Sequence, residues 1–163
     1  MFTSQVARRL HEEHTAASGL LQRLQVLLSR QGPLVPPPTG DPGFAALTRD
    51  LGAAIAGEIG NHFRFEEEEL FPALAARGES DIGELLAEEH RTIRPAAARL
   101  VELARGPGMA IEAWAEFHRL GGELVERLSA HIQKEEIGLV PLVEDLLDGE
   151  ADARLSEAYA LLA

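Results

Sequence analysis

Two segments of the chain carry one pattern. HFRFEEEELFPAL at residues 62–74 and HIQKEEIGLVPLV at residues 131–143 share His, a Glu pair, Leu and Pro at identical offsets. An EEH run precedes each, Glu12, Glu13 and His14 before the first and Glu88, Glu89 and His90 before the second. The chain therefore reads as two helical hairpins of the same design, an EEH helix followed by an HxxxEE helix. Neither hairpin can bury its apolar stripe alone, so the two are expected to pair with approximate two-fold symmetry.

The rest of the chain supports this. Ala, Leu, Glu and Arg are abundant, β-branched residues are few and alternating runs are absent, so helical periodicity is the primary signal. Ser4 or Thr3 caps a first helix that runs to about Arg30, and the proline-stiffened PLVPPPTGDPG follows as a connector. A second helix is expected from about Phe44 to Arg77, bent near Pro72 and ended by Gly78. A third begins after Ser80 and runs to about Arg105 with a kink at Pro95. A fourth spans about Met109 to Leu147, with Gly121 and Gly122 as a weak point, and Asp152 to Leu162 form a short terminal helix. The expected fold is all-α, an up-down-up-down four-helix bundle with a short C-terminal helix, in a single domain over residues 1–163.

The stripes that face the core carry the chemistry. The second helix presents Ile55, Ile59, His62, Glu66, Leu70 and Ala73, and the fourth Leu124, Leu128, His131, Glu135, Leu139 and Leu142. The first presents Val6, Leu10, His14, Ala17, Leu21 and Leu24, and the third Leu86, His90, Ile93, Ala97 and Leu100. All four helices thus aim an imidazole inward, and two add a carboxylate. Unpaired burial of such groups costs several kcal/mol in total, a large part of a net stability of roughly 5–15 kcal/mol. Mutual hydrogen bonding in a buried network is one compensation. A dinuclear metal site is the other, since i, i+4 spacing places His and Glu one turn apart on one face. Four His and two Glu suit iron or manganese better than zinc, which usually closes at four ligands.

Charge and composition exclude several alternatives. A net charge of −12 repels phosphate backbones and anionic membrane surfaces, so neither nucleic acid nor membrane is an expected partner. No cysteine is present, which removes disulfides, thiolate metal sites and cysteine nucleophiles. No apolar window approaches the length of a membrane span, and the expectation is a soluble, cytoplasmic protein. No Ser/His/Asp triad, glycine-rich phosphate loop or EF-hand spacing is visible.

The succession EEH, HxxxEExxLFP, EEH, HxxxEExxLVP over about residues 4 to 145 resembles the hemerythrin-like family, the HHE cation-binding domain. The resemblance implies a non-haem di-iron centre that binds or reacts with dioxygen. It implies two iron ions, Fe2+ or Fe3+, bridged by an oxo, a hydroxo or a water. His14 and His62 would ligate one iron, His90 and His131 the other, and Glu66 and Glu135 would bridge them. Ferritin-like di-iron proteins place Glu three residues before His, whereas here His comes four residues before Glu.

The sequence departs from the family at one position. Oxygen-carrying hemerythrins have a further histidine one turn after the third-helix His, and Arg94 stands there in this chain. Two imidazoles on each iron leave an open position on both, which places NO or peroxide beside dioxygen as the expected small ligand. The expected function is to bind or sense such a ligand. The alternative is a di-iron oxidase or peroxidase, or an iron-handling protein of oxidative or nitrosative stress defence, and whether the chain is an enzyme stays open.

Other residues weigh less. Glu67 and Glu68 are expected to face solvent, while Glu69, seven residues after His62, is a candidate carboxylate beside the site, paired with Arg94 or simply solvated. His11 lies near the face of His14, where it could replace or supplement that ligand, and is expected at the surface. Arg94 has a role either beside the site or at the surface. His118, Trp114 and Phe117 are expected to be structural, and Tyr159 is too far along the chain to assign.

Overall fold

The computed structural model describes residues 1–162, apart from the side chain of Glu58. Helix α1, Gln5–Arg30, starts where the Ser4 side chain accepts from the Ala7 N–H, as its sequence implies. Helix α2, residues 42–75, starts two residues earlier than expected. Asp41 caps it by accepting from Phe44, with Pro42 in the first turn, where a missing N–H costs nothing. Helix α3, Asp81–Leu103, is continuous through Pro95, which sits on its exposed face. Helix α4 covers residues 111–146 and α5 Gly149–Leu162. The α5 start precedes the expected Asp152 because the Asp148 carboxylate caps it by accepting from Ala151 at 2.8 Å.

Among the described residues there is no strand. Helices α1 and α3 each pack against both α2 and α4, which closes a four-sided up-down-up-down bundle, and α5 lies across α1 and α2. The buried carboxylate of Asp152 on α5 accepts from Ser4 Oγ at 2.6 Å and from the N–H groups of Gln5 and Val6. It thus neutralises the positive end of α1 and fastens the fifth helix to the first. At Gly121 the helix is unbroken. A Cβ there would meet Leu28 Cδ1 at 3.0 Å, so the glycine serves the close approach of α1 and α4.

Helices α2 and α4 share a local irregularity. In α2 a π turn occupies Glu66–Leu70, and in α4 one occupies Glu135–Leu139. Phe71 and Val140 donate five residues back, to the carbonyls of Glu66 and Glu135. Each π turn ends two residues before a proline, Pro72 or Pro141, whose ring would clash with the carbonyl four residues earlier and which has no N–H to offer it. The wider turn absorbs that conflict. A further π turn lies at Ile55–Ile59 in α2.

The core is divided. One apolar cluster gathers Leu10, Phe65, Leu70, Leu86, Leu139 and Val143 near α5. Another gathers Leu24, Phe63, Ile93, Leu100, Trp114 and Leu128 at the opposite end. Each of the four long helices crosses from one cluster to the other at its buried histidine, so the polar residues form a layer between two dry compartments.

Candidate metal centre

The structure brings all six candidate residues into that layer. His14, His62, Glu66 and Glu135 form one group, and His90 and His131 form another with the same two glutamates; within each group the facing atoms lie within 4.8 Å of one another. Glu66 and Glu135 are completely buried at 0% exposure. His14 Nε2 is 2.6 Å from Glu135 Oε2, His62 Nε2 is 3.1 Å from Glu66 Oε1 and His90 Nε2 is 3.3 Å from Glu66 Oε2. His131 Nε2 approaches Glu135 Oε1 and lies 3.1 Å from His90 Nε2.

The outer nitrogens fix the orientation of every ring. His62 Nδ1 donates to Glu13 at 2.8 Å, His131 Nδ1 to Glu89 at 2.9 Å, His14 Nδ1 to Glu136 at 2.5 Å and His90 Nδ1 to Glu67 at 3.2 Å. An ionised carboxylate can only accept, so each Nδ1 carries the proton and each neutral imidazole turns its Nε2 lone pair inward. The pairings follow the repeat, since the Glu beside one helix's ligand always holds the histidine of a neighbouring helix.

The interior is therefore lined by acceptors alone. Both oxygens of Glu66 and Oε1 of Glu135 are buried with no hydrogen-bond partner. Such groups face one another across 2.6–3.3 Å only if positive charge lies between them, as protons on the imidazoles or as metal cations. Around the layer stand six carboxylates, Glu13, Glu66, Glu67, Glu89, Glu135 and Glu136, against the fixed cations Arg9, Arg94 and Lys134. The donor set fits a pair of divalent or trivalent cations on nitrogen and oxygen.

Without metal the protons take that place. Burial works against charging His62, yet Glu66 and hydrogen bonds to Glu13 and Glu135 hold its imidazole well above the ordinary range. His14 and His131 are opposed by burial in the same way and are raised chiefly by Glu135. Burial would push Glu135 up, but the imidazoles of His131, His14 and His62 close to its oxygens, once protonated, hold it well below the usual carboxylate range.

The open positions of the sequence are also resolved. Glu67 does not turn to solvent: it accepts from His90 and, in a two-pronged pair, from Arg94 Nη1 at 3.0 Å and Nη2 at 2.6 Å. Arg94 thus stands beside the site through Glu67, and Glu69 is exposed, the second of the two alternatives its position allows. Glu68 is exposed and pairs with Arg64. His11 is exposed and donates to the second oxygen of Glu136, behind His14. His118 donates to the Leu28 carbonyl and is structural, as are Trp114 and Phe117 in the apolar cluster. Tyr159 is 1% exposed, stacks on Phe65 at 4.2 Å and donates its hydroxyl to Glu13. Sequence reasoning passed over the roles of Glu13, Glu67, Glu89 and Glu136. The signal was their recurrence at matching offsets in both hairpins.

A helical bundle with a buried layer of imidazoles and carboxylates, every donor turned inward, is a cation-binding bundle. The sequence matches the family described as the hemerythrin HHE cation binding domain over residues 5–143, and again over 81–159, so the second hairpin also aligns with this family. The chain belongs to the hemerythrin HHE cation-binding domain family. Among curated proteins none matches it significantly. Among the described residues no helix is long and apolar enough to cross a membrane.

Proposed function

We propose that the protein is a non-haem di-iron protein that binds or senses dioxygen or a related small ligand, NO or peroxide, at the centre of the bundle. The acceptor-only interior carries this reading: four inward Nε2 atoms and two buried carboxylates, three of whose oxygens lack any hydrogen-bond partner. His14 and His62 would hold one iron, His90 and His131 the other, with Glu66 and Glu135 shared between them. Bound iron would supply the redox-active Lewis acid to which such ligands attach.

The residues around the centre support a small ligand. A cavity of about 30 Å³ lies against His14, His62 and His131, walled by Ala17, Ile59, Leu128 and Ile132. It has room for roughly two waters or one diatomic molecule, and its apolar walls offer nothing to a larger polar substrate. Glu13, Glu67, Glu89 and Glu136 hold the imidazoles in the tautomer that binds a cation.

A second reading, turnover of peroxide as an oxidase or peroxidase or iron handling under oxidative or nitrosative stress, draws on Arg94. Because Arg94 pairs with Glu67 and contributes no imidazole, the two halves have equal donor sets. Visible spectra of the iron-loaded protein separate the readings. A band that appears with oxygen and vanishes on its removal supports binding, whereas rapid peroxide consumption with bleaching supports turnover.

A further inference from the structure

Two clefts flank the centre and are twins under the internal repeat. The cleft between α1 and α2, about 700 Å³, is lined by Glu13, Ala16, Gly57, Asn61 and Tyr159 among others. The cleft between α3 and α4, about 460 Å³, is lined at the corresponding positions by Glu89, Thr92, Glu126 and Ala130. Each has at its floor the glutamate that holds a histidine of the neighbouring helix, Glu13 for His62 and Glu89 for His131.

What lies behind the two glutamates differs. The 30 Å³ cavity beside His14 and His62 is lined by Glu13, which also lines the outer cleft, and Ala17 forms part of its wall. In the other half the position of Ala17 is taken by the bulkier Ile93, which is 1% exposed, belongs to the apolar cluster and lines the outer cleft of that half. The π turn at Ile55–Ile59 adds to the difference, since it gives Gly57 to the outer cleft and Ile59 to the inner cavity.

We infer that the cleft between α1 and α2 is the route by which a small ligand reaches the centre, with Glu13 as its gate and Ile93 closing the twin route. The inference rests on the reading of the buried cluster as an iron centre. Glu13 suits the task because, among the described residues, it is the one that lines both spaces, and its side chain is 20% exposed. It is held in place by hydrogen bonds from His62, Arg9 and Tyr159, so a swing of that side chain joins cleft to cavity without moving a helix.

The test uses nitric oxide, a neutral diatomic, mixed with the reduced iron-loaded protein and followed by stopped-flow absorbance. Ala16 is exposed and lines the cleft, so Ala16→Phe adds bulk at the mouth from a surface position. Ala17→Leu fills the cavity itself, and Thr92→Phe is the matching block on the twin cleft. The expected result is that Ala16→Phe slows association and dissociation together by about tenfold or more with little change in Kd, that Ala17→Leu, which takes the space beside the centre, slows association by a similar factor and also weakens Kd, and that Thr92→Phe stays within about twofold of the parent. Unchanged rates in Ala16→Phe, or equal slowing by Thr92→Phe, overturn the route alone. A parent protein that takes up no iron overturns the metal centre and the route with it.

Discussion

Tyr159 and His62 share one oxygen of Glu13: the phenol and the imidazole Nδ1 both donate to Oε2. Helix α5, which has no counterpart in the repeat, is thereby joined to one candidate ligand, His62, and not to its twin, His131. His131, the equivalent of His62, is held by Glu89, whose other partner is Lys134.

Tyr159→Phe keeps the stack on Phe65 and the Arg9 guanidinium over the ring, and removes only the donor to Glu13. The expected loss of stability is about 1 kcal/mol, the usual net value of one hydrogen bond, with a somewhat larger loss in the iron-loaded protein because His62 is less firmly oriented. Urea denaturation of both forms checks this. An unchanged midpoint in both would show that the phenol does not support the site.

Glu66→Leu tests both roles of this carboxylate. Glu66 stands 3.1 Å from His62 and 3.3 Å from His90 and holds the imidazole of His62 up, so the metal-free protein is expected to lose stability when an apolar side chain removes that buried partner. Metal content is expected to fall to a small fraction of the parent. Metal analysis with thermal melts of the metal-free form checks this, and retention of full metal would remove Glu66 from the ligand set.

Within the run of four glutamates the structure predicts unequal effects. Glu67→Gln removes the charge that orients His90 and pairs with Arg94, and is expected to weaken metal affinity by about 10- to 100-fold. Glu68→Gln loses only an exposed pair with Arg64, and its effect on affinity is expected to lie within about twofold. Competition with a chelator measures both, and equal effects would contradict the assignment.

The metal-free protein has a defined pH profile. The imidazoles of His14, His62 and His131 are raised above the ordinary value of 6.5, so their stabilisation is complete below 6.5 and is lost as pH rises through the raised values. Glu135 is depressed below 4.5, so its contribution is present above 4.5 and is lost as pH falls through the depressed value. Stability without metal should therefore peak between 4.5 and 6.5 and decline on the alkaline side. Metal must displace those same protons, so the gain in melting temperature on loading should grow as pH rises. A metal-free melting temperature that climbs steadily through neutral pH would contradict this.

Helical periodicity made the inner layer legible. His14, His62, Glu66, His90, His131 and Glu135 interrupt stripes of leucine, isoleucine and alanine at spacings of three and four, and an α-helix puts such positions on one face. The outer row was not legible in the same way. Whether Glu67 or Glu69 meets Arg94 depends on the π turn that begins at Glu66, which alters the rotation of the residues after it, and on which helix stands alongside. Pro72 carried the signal for that turn, read from sequence only as a bend. Tyr159 was beyond reach because nothing local to α5 says that it crosses α1 at Glu13; that contact joins residues 146 apart.

The most direct test of the whole account is the iron content of the purified chain after anaerobic loading with ferrous iron. Two iron ions per chain are expected, held by the two His pairs and the shared glutamates. A single bound zinc, or no metal at stoichiometric level, would contradict it.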